Sequence, residues 1–264
     1  FVDLITLLNG QGGSIEQTYA YLDPKSALNW YTLSNHSAYA TQYRENMPLG
    51  AIAPAQLYAP MARRHMELYG TTARHFAEVA VVTRQHAILN GNVVMNKPLT
   101  VEDHHASRMI SDPFRLFDCS LESDGGAAIV VSRSDRARDL KKPLVTIMGV
   151  AEGHPESPAS IAQRPDLLEF GLAKSAPRAY DMAGVGPQDI DVAEIYDCFT
   201  YIVLCQLEDL GFCKKGEGGP FVASGATARG GTLPVNTHGG FLIVAGVIVS
   251  ELRFGRKEKA RIDS

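Results

Sequence analysis

A tyrosine followed directly by an acid, Tyr196-Asp197, and a turn spelled Asn236-Thr237-His238-Gly239-Gly240 are the residues of this 264-residue chain best suited to chemistry. Two adjacent glycines let backbone approach a ligand closely, and the N–H groups of such a turn can donate to an oxyanion. His238 adds a donor or a proton relay near neutrality, although a single histidine in a turn is commonly just solvated. The Tyr196 phenol, with a reference pKa of about 10, is a poor base unless a cation or hydrogen bond helps it. The plain alternative is an aromatic at a strand end whose hydroxyl reaches water.

The remaining reactive residue types read as structural. Cys119, Cys198, Cys205 and Cys213 contain no C-x-x-C pair, so no zinc site is expected. A chain of this size does not need a disulfide framework, and buried free cysteine behaves as a small hydrophobe, so packing is the expected role of each thiol. The adjacent His104-His105 pair cannot place both rings on one helix face, which makes it a poor metal site. No metal or redox cofactor is therefore expected.

Hydrophobic residues make up 45% and charged residues 20% of the chain, the balance of a soluble protein with a real core. The net charge of -4 leaves no broad basic face, which excludes nucleic acid as a partner. The stretch Arg133 to Lys142 (RSDRARDLKK) carries two acids among its bases and reads as a solvated helix face. No apolar run reaches the length of a membrane span. The opening FVDLITLLNG has no basic leader or cleavage site, so no signal peptide is expected. Reduced thiols and a cytoplasmic location follow as the expectation.

The elements that must hold these residues are legible from periodicity. Pro54 to Gly70 is an amphipathic helix, with Leu57, Tyr58, Met61, Ala62, His65, Leu68 and Tyr69 on one stripe and Arg63, Arg64 and Glu67 on the other. Pro60 kinks it or marks its start, and Gly70 stops it. Thr71 or Thr72 caps a second helix that turns Phe76, Val79 and Thr83 inward and ends near Asn90-Gly91. Thr100 opens a third, with Asp103 as its capping-box partner. The period then changes. Gly125 to Val131, Pro143 to Val150 and Asp191 to Tyr196 read as strands, and Leu233 to Asn236 leads into the glycine turn. A short charged helix precedes Pro143, and Asp166 to Gly184 and Phe199 to Leu210 are helical. Alternating strands and helices argue for an α/β protein with a largely covered sheet. The best internal boundary is Lys141-Lys142-Pro143.

Four stretches together resemble the sterol-carrier-protein-type thiolases and the thiolase-like lipid-transfer proteins. They are Ala62 to Met66 (ARRHM), Pro113 to Arg133 (PFRLFDCSLESDGGAAIVVSR), Glu194 to Gly211 (EIYDCFTYIVLCQLEDLG) and Pro234 to Gly240 (PVNTHGG). The resemblance covers roughly residues 51 to 242. It implies the thiolase-like fold: two repeated βαβαβ-type halves in a layered α-β-α-β-α arrangement, here incomplete at both ends. Residues 1-142 would form the first half with its inserted loop domain, with 1-50 unmatched. Residues 143-264 would form the second half, with 243-264 unmatched.

The resemblance also implies a chemistry. The YDCF stretch occupies the place of the thiolase N-E-A-F motif, with Tyr196 for the Asn, Asp197 for the acid and Phe199 for the Phe. Tyrosine at this position resembles the thiolase-like aldolases of steroid side-chain breakdown, which cleave a β-hydroxyacyl-coenzyme A without a covalent acyl-enzyme. Asn236 to Gly240 resembles the family's N-P-x-G-G turn, with Thr237 for the Pro. Tyr196, His238 and Asp197 are the implied catalytic residues, and Asn236, Gly239 and Gly240 the implied substrate-binding ones. The second tyrosine that such aldolases place beyond this turn has no equivalent here. Gly153-His154-Pro155 spells a thiolase tripeptide out of its place and reads as a coincidence.

The implied activity is retro-aldol cleavage of a bulky acyl-coenzyme A, steroidal in the relatives resembled. It would bring coenzyme A as part of the substrate, a homodimeric core and an OB-fold partner protein. Two alternatives stand beside it: acyl transfer through a cysteine, and a lipid-binding or scaffold subunit without catalysis.

Overall fold

Helix α1 begins where the sequence supplies a proline for its first turn. In the computed structural model, which describes residues 50–51, 53–121, 131–137, 145–155 and 164–242, α1 spans Pro54–Tyr69. The Gln56 side chain accepts from the Ala53 N–H at 2.9 Å, relieving one of the orphan donors of the first turn. Gly70 ends the helix at a φ of 71°, its N–H returning to the Met66 carbonyl. The buried face is narrower than the expected stripe. Ala55, Ala59, Met61, Ala62 and His65 are inside, whereas Leu68 and Tyr69 are 49% and 41% exposed. Small residues at 55, 59 and 62 let the helix lie close to its neighbours, which leaves its last turn clear of the core.

Helix α2 (Ala73–Asn90) lies at the centre of the packing. Thr72 stands at its N-cap, Gly91 closes it at a φ of 77°, and Phe76, Val79 and Thr83 point inward as expected. It touches α3 (Val101–Ala106), α6 (Thr200–Asp209) and α7 (Gly218–Ala223), which explains why Ala77, Ala80, Val82, Arg84, His86 and Ala87 are buried as well. At α3 the Thr100 hydroxyl accepts from the Asp103 N–H, and the Asp103 carboxylate accepts from the Thr100 N–H, both at 3.0 Å. The core between α2 and α6 is aromatic. Phe114 stacks on Phe199 at 5.0 Å, and Phe76 and Tyr201 close around them at 6.2 to 6.5 Å.

Two buried histidine–carboxylate pairs bolt distant segments together. His65 of α1 reaches Glu208 of α6 at 3.1 Å and Thr71 at 2.9 Å. His104 of α3 meets Asp118 at 2.7 Å, and the same oxygen accepts from the Thr200 hydroxyl at the start of α6. The adjacent His105 is exposed, so the two rings do serve different faces.

The sheet differs from expectation. Among the described residues the named strands are β1 (Met109–Ser111) and β2 (Phe114–Arg115), an antiparallel hairpin with Met109 opposite Arg115. Residues 145–150 form no strand, and Val145, Ile147 and Val150 are more than half exposed. The expected strand at Asp191 to Tyr196 is reduced to one parallel bridge, Ala193 with Val235. A strand exists only where a neighbour takes its N–H and C=O groups, and beside 145–150 no such neighbour stands among the described residues. The helix expected from Asp166 begins later, as α5 (Gly171–Ala183), and closes as expected at Gly184 with a φ of 68°. The short α4 (Ser134–Ala137) is the described part of the charged helix, and α7 was not foreseen. Of the strand expected at Gly125 to Val131, residues 125–130 lie outside the described residues, and Val131 is exposed and not in a strand. The boundary at 141–143 and residues 1–49 and 243–264 also lie outside the described residues. Residues Ala53 to Pro155 and Asp166 to Leu242, where described, belong to one compact unit.

Candidate active site

The extended segment from Ala193 to Asp197 runs beside the segment from Pro234 to Leu242 and is stitched to it at each residue. Ala193 donates its N–H to the Pro234 carbonyl, and its own carbonyl accepts from the Asn236 N–H at 2.9 Å. The Glu194 Oε1 accepts from both the N–H and the hydroxyl of Thr237, at 3.0 and 2.7 Å. The Ile195 N–H donates to Asn236 Oδ1 at 2.8 Å. The Tyr196 ring meets Phe241 edge-on at 5.6 Å. Finally, the two Asp197 oxygens accept from the N–H groups of Phe241 and Leu242, at 2.8 and 3.2 Å.

This register explains the turn. Asn236 adopts a φ of 50°, a left-handed conformation that asparagine tolerates better than most residues, and it is fully buried. Gly239 and Gly240 have φ values of 107° and 59°. A Cβ on Gly239 would overlap Ala87 of α2, and one on Gly240 would overlap the Asp197 carboxylate. The Asn90 side chain at the end of α2 donates to the His238 carbonyl at 2.8 Å, so the helix also fixes the turn's height.

His238 is the reactive group this frame positions. Its Nδ1 lies 2.5 Å from Glu194 Oε2, off the direction of a linear hydrogen bond, and its side chain is partly exposed. The Glu194 carboxylate raises the His238 pKa against burial, which lowers it; Asp197 adds a smaller upward push. Burial works to raise the Glu194 carboxyl, yet the contacts from His238 and Thr237 outweigh it and hold the acid below its usual range. Together these favour an imidazolium facing a carboxylate. Glu194 is the functional residue that sequence reasoning passed over. Its signal was its place two residues before Tyr196 in the quoted EIYDCF stretch.

Tyr196 is 55% exposed, and its carbonyl accepts from the Gln206 side chain. Partial burial of its hydroxyl, followed by the neighbouring Cys198 thiol, pushes its pKa upward, so it is a neutral phenol and a donor near pH 7. Asp197 is 1% exposed, and burial raises its carboxyl to about 6 against the pull of the backbone donors. The Asn236 Nδ2 is buried without a hydrogen-bond partner. A cavity of about 310 Å³ is lined by Glu194 and Tyr196 on one side and by Leu172, Tyr180, Leu210 and Phe212 among others. His238, Asn236 and the two glycines are not part of its wall. The structure therefore gathers all six expected residues around one stitched pair of segments, with Tyr196 on the apolar cavity and His238 on the turn beside it.

None of the four thiols favours a thiolate. Burial raises Cys119 to about 12, Cys198 to about 11 and Cys213 to about 12, and pushes Cys205 up as well. Among the described residues, His65, Cys205 and Glu208 bring possible metal-ligand atoms within 4.8 Å of one another. Both His65 nitrogens and both Glu208 oxygens are engaged, with Thr71, the Gly218 N–H and Lys215 as further partners. This is a satisfied hydrogen-bond network. The Gly153-His154-Pro155 loop presents an exposed His154 paired with Glu152 at 3.2 Å. Among the described residues no helix is long and apolar enough to cross a membrane.

Comparison with known proteins fits this geometry. A family model described as thiolase C-terminal domain-like matches residues 153–250. The chain is 43% identical over 214 residues to a steroid side-chain-cleaving aldolase of Thermomonospora curvata, covering 79% of this chain and 54% of that protein. It is 45% identical over 201 residues to a 17-hydroxy-3-oxo-4-pregnene-20-carboxyl-CoA lyase of Mycobacterium tuberculosis, covering 74% of this chain and 52% of that one. The solved structure of an Ltp2-ChsH2(DUF35) aldolase superposes with a TM-score of 0.74 at 43% identity, over 77% of this chain and 54% of that chain.

The chain belongs to the thiolase superfamily.

Its fold is thiolase-like, and within the superfamily its similarity runs to the steroid side-chain aldolases. The chain spans about half the length of these relatives. Placed in the superfamily, the stitched segments are the YDCF and NTHGG motifs, and the thiolase-like fold has brought two short sequences some 40 residues apart into register.

Proposed function

We propose that the protein is a carbon–carbon lyase that cleaves a bulky β-hydroxyacyl-coenzyme A by a retro-aldol reaction. In that reaction the β-hydroxyl loses its proton and the Cα–Cβ bond breaks. The hydroxyl carbon becomes a carbonyl, and the electron pair passes into the thioester enolate, whose α-carbon then takes a proton. The enzyme must stabilise the enolate oxygen and deliver that proton. His238, held cationic by Glu194, and the Gly240 N–H would face the thioester oxygen, since the Gly239 N–H is taken by the Asn236 carbonyl at 2.9 Å. Tyr196, a neutral phenol on the cavity, would deliver that proton and regain one from solvent, which takes up the proton the β-hydroxyl loses. Asp197 acts as a positioning residue, because both of its oxygens hold backbone beyond the turn.

The observation that carries this reading is the joint placement of Tyr196 and the Glu194–His238 pair on the stitched segments. The apolar wall of the 310 Å³ cavity suits a hydrophobic acyl group. The raised thiols speak against acyl transfer through any of the four cysteines. By analogy with the Ltp2-ChsH2(DUF35) aldolase, we infer a heteromeric complex with a DUF35-type, OB-fold partner around a homodimeric core. A cytoplasmic location and freedom from metal or redox cofactors complete the proposal.

The test is Tyr196→Phe in the purified protein with its partner and a steroidal β-hydroxyacyl-coenzyme A. Loss of one proton-transfer group should lower kcat by about 100-fold or more, with unchanged melting because the ring is exposed. Full retention of cleavage removes the mechanism. Absence of turnover by the unaltered protein in every partner mixture favours the scaffold reading.

A further inference from the structure

Arg84 stands in the middle of α2, and its side chain is almost wholly removed from solvent. Its Nη1 donates to the Lys97 carbonyl at 2.7 Å, its Nη2 contacts the Met95 sulfur at 3.0 Å, and its guanidinium lies 5.6 Å above the Phe117 ring. Its Nε has no hydrogen-bond partner. No carboxylate among the described residues pairs with it. An enclosed cation without an anion costs free energy, which makes such a group a ready seat for a negatively charged ligand.

A cavity of about 640 Å³ opens over this guanidinium. Lys97 and Arg108, both exposed, stand on its lining, with Met95, Leu99 and Phe117 as its apolar parts. The one acid on the lining is Asp103, whose carboxylate is committed to the Thr100 N–H and hydroxyl at 3.0 and 2.8 Å. Three cations therefore face the cavity against one acid already satisfied by its own helix cap. Lys97 precedes α3 and Arg108 follows it, so the charges converge through the fold and not through a run in the sequence.

We propose that this cavity binds a phosphate dianion, free or carried as a phosphate monoester, between Arg84, Lys97 and Arg108. The Arg84 guanidinium would attract the anion from the inner wall of the cavity, and the two exposed cations would close on it from the rim. The apolar lining leaves room for an organic group attached to the phosphate. The inference stands on the cavity alone and is independent of the lyase reading.

The experiment is a titration of the full chain with inorganic phosphate at constant ionic strength, followed by phosphorus NMR line width. Saturable binding is expected, weakened roughly ten-fold in Lys97→Ala and in Arg108→Ala, since each removes one charge-assisted contact. Arg84→Met should abolish it; if that variant does not fold by circular dichroism, the two exposed variants decide. Displacement of phosphate by coenzyme A but not by dephospho-coenzyme A supports the seat and assigns it to a phosphate monoester. Saturable, variant-sensitive binding that neither displaces supports it as a site for free phosphate. No saturable binding, or binding unchanged in every folded variant, overturns the proposal.

Discussion

Gly240 sits so close to Asp197 that a Cβ on the glycine would overlap the carboxylate that holds the next two backbone N–H groups. The pair shows how the site is built. The acid fixes where the chain goes after the turn, and the missing side chain makes room for the acid.

Gly240→Ala should therefore lower stability by about 1–3 kcal/mol, through overlap and a left-handed φ together. Gly239→Ala meets the α2 backbone at Ala87 and should cost at least as much. Urea denaturation of both variants checks this; an unchanged midpoint for either would contradict the close packing.

Asp197 gives a pH signature. Its native carboxyl titrates at about 6 and its unfolded counterpart at 3.8, so the native state binds more protons between these values. Its contribution to stability is fully present below about pH 4 and is lost as pH rises through about 6. Asp197→Asn should flatten that part of the stability curve, read from denaturant midpoints between pH 4 and pH 7. It should also lower overall stability, because an amide cannot accept from both backbone donors.

Glu194→Gln should lower the His238 pKa, observed by NMR of the imidazole, because the largest upward influence on that ring is removed. The pair's contribution is present once Glu194 is ionised and fades as pH rises through the raised histidine pKa. Its loss should cost about 1 kcal/mol or less near neutrality, since the histidine is partly exposed. Under the lyase reading, the pH optimum of cleavage should move down with the histidine. An unshifted His238 titration would remove Glu194 from its positioning role.

His65→Leu leaves the fully buried Glu208 without its imidazole partner. The expected loss is about 3 kcal/mol or more, far above that of an exposed ion pair, measured by chemical denaturation. A loss below about 1 kcal/mol would show that Lys215 and the Gly218 N–H satisfy Glu208 unaided.

What the sequence determined is what neighbouring residues decide among themselves. The Thr100–Asp103 box, the stops at Gly70, Gly91 and Gly184, and the inward Phe76, Val79 and Thr83 all depend on partners within one or two helical turns. The YDCF and NTHGG motifs were likewise legible as residue types. The tertiary structure decided whatever needs a partner far along the chain. The extended segments at 145–150 and 191–196 have strand-like composition, but a strand is completed by its neighbour's hydrogen bonds, and only Ala193 finds one. Glu194 is an unremarked acid until the fold lays Thr237 and His238 against it, and Arg84 is an ordinary helical cation until packing strips it of water and of counter-charge. Burial and long-range register set the charge state of each of these groups, and neither is a property of any short stretch of sequence.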